Sequence, residues 1–210
     1  VTQPPFTPDK EQIAALDPFE RLPLARIELV ATGPQADRAI AELADATMLG
    51  FDTESKPTFA KGEVSDGPHI VQLATLDKAW IFQLHDAACR AALCALLALN
   101  TAEKVGFGLG DDMRRIRGKL GVDMLGVVDL NHLFRARGYR KDIGVKTAVA
   151  LLFDKRFLKS GKASTSNWAA RELSESQLMY AANDAWAAAR VFEAMNRQNP
   201  LHQRDVPSKA

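Results

Sequence analysis

Met48-Leu49-Gly50-Phe51-Asp52-Thr53-Glu54 is an apolar run that ends in two carboxylates spaced i, i+2. As a strand, its alternation puts Asp52 and Glu54 on one face and Thr53 on the other. Two acids side by side at the end of a buried strand repel each other and resist desolvation. A positive charge between them relieves both costs, and hard oxygen donors favour Mg²⁺ or Mn²⁺. Taken alone, an Asp-x-Glu pair is more often a solvated turn, so the rest of the chain decides its meaning.

Working outward, residues 26–31 read as a strand through Ile27, Leu29 and Val30. Gly33-Pro34 then turns into a helix over 36–46, with Ile40 and Leu43 inward. Beyond Glu54, residues 55–68 hold two glycines and two prolines and read as a loop. Strands over 69–76 and 79–84, joined at Asp77-Lys78, predict a hairpin. A helix over 87–99 follows, then a short strand over 104–109 feeding a helix over 111–120. Residues 127–130 suit either a strand or the start of a helix over 130–137. Two further helices are expected over 145–153 and 174–195, separated by the polar stretch 160–167. Ser174 followed by Gln177 is a start signal for the last of them. The pattern describes one α/β domain, a mixed sheet flanked by helices, over 25–197. Residues 1–24, rich in proline, read as an N-terminal arm, and 198–210 as a flexible tail.

The 210 residues are 47% hydrophobic and 25% charged, which suits one well-buried globular domain. No apolar run approaches the roughly eighteen residues of a membrane span, and the N-terminus lacks the plan of a signal peptide. Cys89 and Cys94, five apart on a helix, point to different faces, which argues against a disulfide or a zinc pair. The expectation is a reduced, cytoplasmic protein without membrane contact. The net charge of +1 hides an asymmetry, because residues 114–162 carry 13 Lys and Arg against 4 Asp. Such segregation points to a polyanionic partner or to ordinary solvated helix faces.

Two more acidic sites accompany the opening pair. Lys104-Val-Gly-Phe-Gly-Leu-Gly-Asp-Asp112 is a strand, a glycine-rich turn and a helix start. Its glycines match neither a dinucleotide fingerprint nor a phosphate loop. Asp111 and Asp112 stand where either could cap the helix while the other faces a site. Tyr180-Ala-Ala-Asn-Asp184 puts a phenol and a carboxylate on one helical face, i, i+4. The alanines around them let that helix lie close to the sheet.

Asp52-Thr53-Glu54, an aspartate in a strand-turn-helix segment about sixty residues on, then Tyr180-x-x-x-Asp184, resembles the three-motif order of the DEDD superfamily of 3′–5′ exonucleases. The tyrosine four before the last aspartate is similar to the tyrosine branch; the histidine branch would have His where Met179 stands. Ser166-Asn167-Trp168 and Leu173-Ser174-Glu175-Ser-Gln177 look similar to the exonuclease domain of Werner-type helicases, and the whole of 26–195 to ribonuclease D. Ser55 departs from the aromatic residue of the Werner-type domain.

The resemblance implies a ribonuclease-H-like fold and four carboxylates, Asp52, Glu54, Asp112 and Asp184, holding two divalent ions, Mg²⁺ or Mn²⁺. Asp112 is preferred over Asp111 as the second-motif ligand. Asp52 would bridge both ions, and Tyr180 would orient the attacking water, a phenol being a poor base at neutral pH. The implied partner is nucleic acid, as single-stranded 3′ ends or short oligonucleotides, cut to nucleoside 5′-monophosphates. Thr53, Lys155, Arg156, Lys159, Asn167 and Trp168 are the expected substrate-binding residues, with Phe59 a further stacking candidate. The rival readings are a silent module that grips 3′ ends and a two-metal phosphatase for small esters. DNA, RNA and short oligonucleotides are not distinguished, nor is the oligomeric state.

Overall fold

Six strands form the sheet of the computed structural model, which describes residues 5–58 and 66–198. They are β1 (Ile27–Val30), β2 (Met48–Glu54), β3 (Ile70–Ala74), β4 (Ala79–Gln83), β5 (Glu103–Gly106) and β6 (Val127–Asp129), in the spatial order β1-β4-β3-β2-β5-β6. β3 runs antiparallel to both neighbours, and the remaining pairs are parallel. The expected hairpin is β3–β4, with Thr75 and Lys78 closing its turn. Helices α2 (Gly33–Leu43), α3 (Ala87–Leu97) and α4 (Gly110–Leu120) cover one face. Helices α5 (Leu130–Ala136), α6 (Val145–Phe153) and α8 (Glu175–Gln198) cover the other. This is a mixed sheet between helical layers, a ribonuclease-H-like α/β domain.

Alternation along β2 decides what each layer receives. Leu49 and Phe51 are buried among α2, α3 and α4, while Gly50, Asp52 and Glu54 take the opposite side. Gly50 is required by close approach: a Cβ there would lie 1.9 Å from the Ala185 carbonyl oxygen. The helix α8 therefore rests with its backbone on the strand, and Ala181, Ala182, Ala185 and Ala187 to Ala189 are all buried beneath it. Its start is stapled as the sequence signals. The Gln177 N–H donates to Ser174 Oγ (3.3 Å) and the Ser174 N–H to Gln177 Oε1 (3.0 Å), a reciprocal cap.

Three details add to the sequence reading. Residues 127–130 supply both alternatives, because Asp129 ends β6 and its carboxylate accepts from the Asn131 N–H (2.9 Å) to cap α5. The polar stretch before α8 contains a short helix, α7 (Gly161–Ser164), started by Ser160. The N-terminal segment, beyond its helix α1 (Lys10–Ala15), is packed onto the domain: Phe19 and Leu22 are buried, and the Leu22 N–H donates to Asn183 Oδ1 (2.8 Å). Phe59 and the tail beyond Gln198 lie outside the described residues. Among the described residues no helix is long and apolar enough to cross a membrane. Both cysteines are unpaired, and burial pushes the Cys89 thiol up to about 12, leaving it inert.

Candidate active site

The C-terminal end of β2 and the first half of α8 bring Asp52, Glu54 and Asp184 together, with one oxygen from each lying within 4.8 Å of the others. Asp184 is buried, and Asp52 and Glu54 are half-buried. Burial, followed by the charge of Asp184, raises Asp52 to about 7. Burial, followed by the charges of Asp52 and Asp184, raises Glu54 to about 8. Asp184 is raised by burial as well, against the pull of Lys159 and of the Tyr180 hydroxyl. Three carboxylates that cannot all ionise without a cation are the donor set that a hard divalent ion matches, so the residues fit the metals the family pattern implies.

One cation already stands there. The Lys159 ammonium lies 2.7 Å from Asp184 Oδ2 and 5.2 Å from the centre of the Tyr180 ring. Burial works against its charge, but Asp184 holds the ammonium well above the ordinary lysine value. Tyr180, one helical turn before Asp184, is buried with its ring 5.9 Å from that of Trp168. Burial and then Asp184 push the phenol well above its usual range, so it stays protonated and able to donate.

Asp112 enters from the far side of β2. The Thr53 hydroxyl donates to Asp112 Oδ1, and burial raises that carboxyl while the hydroxyl lowers it. Asp111 points to solvent and pairs with Arg114 at 2.9 Å. Neither aspartate caps α4, contrary to the sequence reading: the cap position is Leu109, without a side-chain bond. The turn is held instead by Asp129, whose carboxylate accepts from the Gly108 N–H (3.0 Å) and the Leu109 N–H (3.2 Å). Gly108 takes φ +67 to make that bend. Asp129 is a part of the site's scaffold that no local motif announces.

The expected substrate-binding residues separate. Lys159 is in the cluster, and Thr53 lies on the other side of β2 with its hydroxyl on Asp112. Lys155 and Arg156 are not: Lys155 pairs with Asp17 (3.2 Å), and Arg156 donates to the Ala14 carbonyl (2.6 Å), both holding the N-terminal segment. Asn167 is exposed, its Oδ1 accepting from the Ala169 N–H (3.2 Å) of its own loop. Trp168 is fully buried behind Tyr180. The basic segment is also less free than its count implies, since Arg114, Arg117, Arg135, Lys155 and Lys159 all have carboxylate partners. Two cations missed in the sequence stand near the carboxylates. Lys146, in the first turn of α6, lines with Asp52, Asp184, Lys159 and Phe107 a cleft of about 410 Å³. Arg115 reaches Ser55 Oγ (3.4 Å), beside Glu54. Neither has a spacing to Asp52 that a one-dimensional pattern could show.

A carboxylate cluster at the end of the central strand is a donor set suited to divalent metal ions. A family model described as 3′-5′ exonuclease matches residues 27–199. The chain belongs to that family of 3′-5′ exonucleases. A 3′-5′ exonuclease of Arabidopsis thaliana is 29% identical over 151 residues, covering 70% of this chain and 52% of the relative. The chain thus spans about half the length of that relative. The exonuclease domain of Aedes aegypti Nibbler superposes with a TM-score of 0.73 at 23% identity, covering 89% of this chain and 94% of that one. Trypanosoma brucei ribonuclease D gives 0.73 at 21% identity, covering 86% and 66% respectively.

Proposed function

We propose that the protein removes nucleotides from the 3′ end of nucleic acid or short oligonucleotides, releasing nucleoside 5′-monophosphates. One observation carries the reading: Asp52, Glu54 and Asp184 converge within 4.8 Å, buried and reluctant to ionise together. Asp52, Glu54 and Asp184, with Asp112 beside them, would hold the Mg²⁺ or Mn²⁺ ions that the family pattern implies. Ions held there supply a water of lowered pKa and stabilise the leaving 3′ oxygen.

The chain's own groups do the rest. Tyr180, protonated, donates to and orients the attacking water. Thr53 fixes the Asp112 carboxylate through its hydroxyl. Lys159, beside Asp184, and Lys146 form a positive wall of the cleft suited to a substrate phosphate. A ribonuclease D of like fold has been solved in complex with RNA, which supports a nucleic-acid strand as the substrate class.

The test is a gel assay with 5′-labelled DNA and RNA oligomers and added Mg²⁺ or Mn²⁺. A ladder shortening from the 3′ end is expected, and no ladder from Asp52→Asn or Asp184→Asn. Retention of the oligomer without cleavage would instead assign the fold to a silent 3′-end binder.

A further inference from the structure

A second cavity, of about 190 Å³, lies at the same end of the sheet, one strand beyond Glu54. Its walls include His69, Gln83, His85, Lys119, Trp168 and Asp66. It adjoins the catalytic groups on two sides. The His69 N–H donates to the Glu54 carbonyl (2.9 Å), and the Trp168 ring packs against Tyr180 at 5.9 Å.

Two of its buried side chains carry unmatched polar atoms. Trp168 Nε1 and Gln83 Oε1 are without a hydrogen-bond partner among the described residues, although both side chains are 1% exposed. The Gln83 amide is oriented by its other end, whose Nε2 donates to the carbonyls of Ala170 (3.1 Å) and Arg171 (3.0 Å). Its oxygen is therefore the free acceptor, and the indole N–H a free donor. Buried polar atoms of this kind cost free energy unless something answers them.

The combination selects among ligands. A phosphate takes donors only and would meet Gln83 Oε1 and the Asp66 carboxylate. A cation would meet the Lys119 ammonium, which donates to the Asp66 carbonyl (2.7 Å). A flat heterocycle with both donors and acceptors answers Trp168 and Gln83 together. The volume lies below the roughly 300–1,000 Å³ of drug-sized sites, which suits a single ring system. Trp168, 1% exposed, offers its N–H rather than its face, and the half-buried His69 is the aromatic wall a base would meet.

We propose that this cavity is a nucleobase subsite that takes one base of the strand whose 3′ end is being cut. The assignment to a substrate strand rests on the exonuclease reading; the affinity for a base does not.

The experiment separates the two. The Trp168 indole signal in a proton–nitrogen correlation spectrum of the metal-free chain is assigned by its loss in Trp168→Phe. Adenosine, cytidine, guanosine, uridine and inorganic phosphate are then titrated separately. A saturable shift with at least one nucleoside and none with phosphate is expected. His85→Ala combined with Lys119→Ala, both exposed positions, should leave the fold intact and weaken that nucleoside roughly threefold to tenfold. Failure of all four nucleosides to move the signal, or a shift with phosphate alone, overturns the subsite. Oligonucleotides lacking one base at a time give the second arm. Removing the base at one position near the 3′ end should raise KM by a similar factor, and Trp168→Phe should erase that difference. If the chain cuts no oligonucleotide, the nucleoside titration still decides the subsite, and only its link to the strand is lost.

Discussion

On the face of the sheet under α2, α3 and α4, β2 contributes Leu49 and Phe51; on the face under α8, the same strand contributes Gly50, Asp52 and Glu54. One lysine stands against each face, Lys104 buried and Lys159 partly exposed, and the two show how the faces differ. Lys104 is fully buried and donates to the carbonyls of Leu99 and Ala102, neutral acceptors of fixed position. Burial alone lowers its pKa. Lys159 faces Asp184 and is raised instead, because its partner is itself an unstable charge. The first lysine closes a structure that has no further business to do. The second balances carboxylates that would accept a stronger cation in its place. The α8 face also holds the unmatched polar atoms of Gln72, Gln83 and Trp168. Native cores leave few such atoms, and the opposite face has one as well, Trp80 Nε1.

The largest expected effect would break this contrast outright. Asp112→Ala should reduce cleavage of a 5′-labelled oligomer to background. Asp111→Ala, which removes only an exposed pair with Arg114, should keep turnover and change stability by no more than about 0.5 kcal/mol. Full activity in Asp112→Ala would move the second-motif ligand to another residue.

Next comes Tyr180→Phe, which keeps the ring against Trp168 and removes only the hydroxyl. A fall in kcat on the order of 10²-fold, with oligonucleotide binding retained, is expected of a group acting mainly in the transition state. Lost metal or substrate binding in this variant would make the tyrosine a packing residue.

The lysines themselves provide a paired comparison. Lys104→Met leaves two carbonyls unanswered and should cost roughly 1–3 kcal/mol in a denaturant melt, with activity per folded molecule unchanged. Lys159→Met should leave the melt nearly unaltered in Mg²⁺ and raise KM for oligonucleotides. Exchanged outcomes would erase the distinction drawn between the two faces.

A smaller effect sharpens the account of the carboxylates. Asp52 and Glu54 hold protons up to about 7 and about 8, well after the unfolded chain has released them. The unfolded state then binds fewer protons, so the metal-free protein should lose stability as pH rises from the ordinary carboxylate range through those values. Melting temperatures measured across that window should fall, and Asp52→Asn or added Mg²⁺ should flatten the fall. A pH-independent melt would show that the cluster is relieved by other means.

Much of this was legible in one dimension because the relevant spacings are local. Period-two alternation separates Phe51 from Asp52, an i, i+4 step aligns Tyr180 with Asp184, and Ser174 with Gln177 announces the helix that carries them. Those patterns, and their order along the chain, were enough to read a mixed sheet, its helices and a set of candidate acids. What the tertiary structure decided were contacts between residues far apart in sequence. It gave the adjacent aspartates different neighbours, Asp112 meeting the Thr53 hydroxyl and Asp111 pairing with Arg114 in solvent. It gave the turn before α4 to Asp129, twenty and twenty-one residues away from the N–H groups it holds. It turned Lys155 and Arg156 toward the N-terminal segment, while Lys159, three residues later, reached Asp184. Charge counted along a chain says nothing of which neighbour each charge meets, because a side chain's partner and its exposure are set by packing that brings distant segments together.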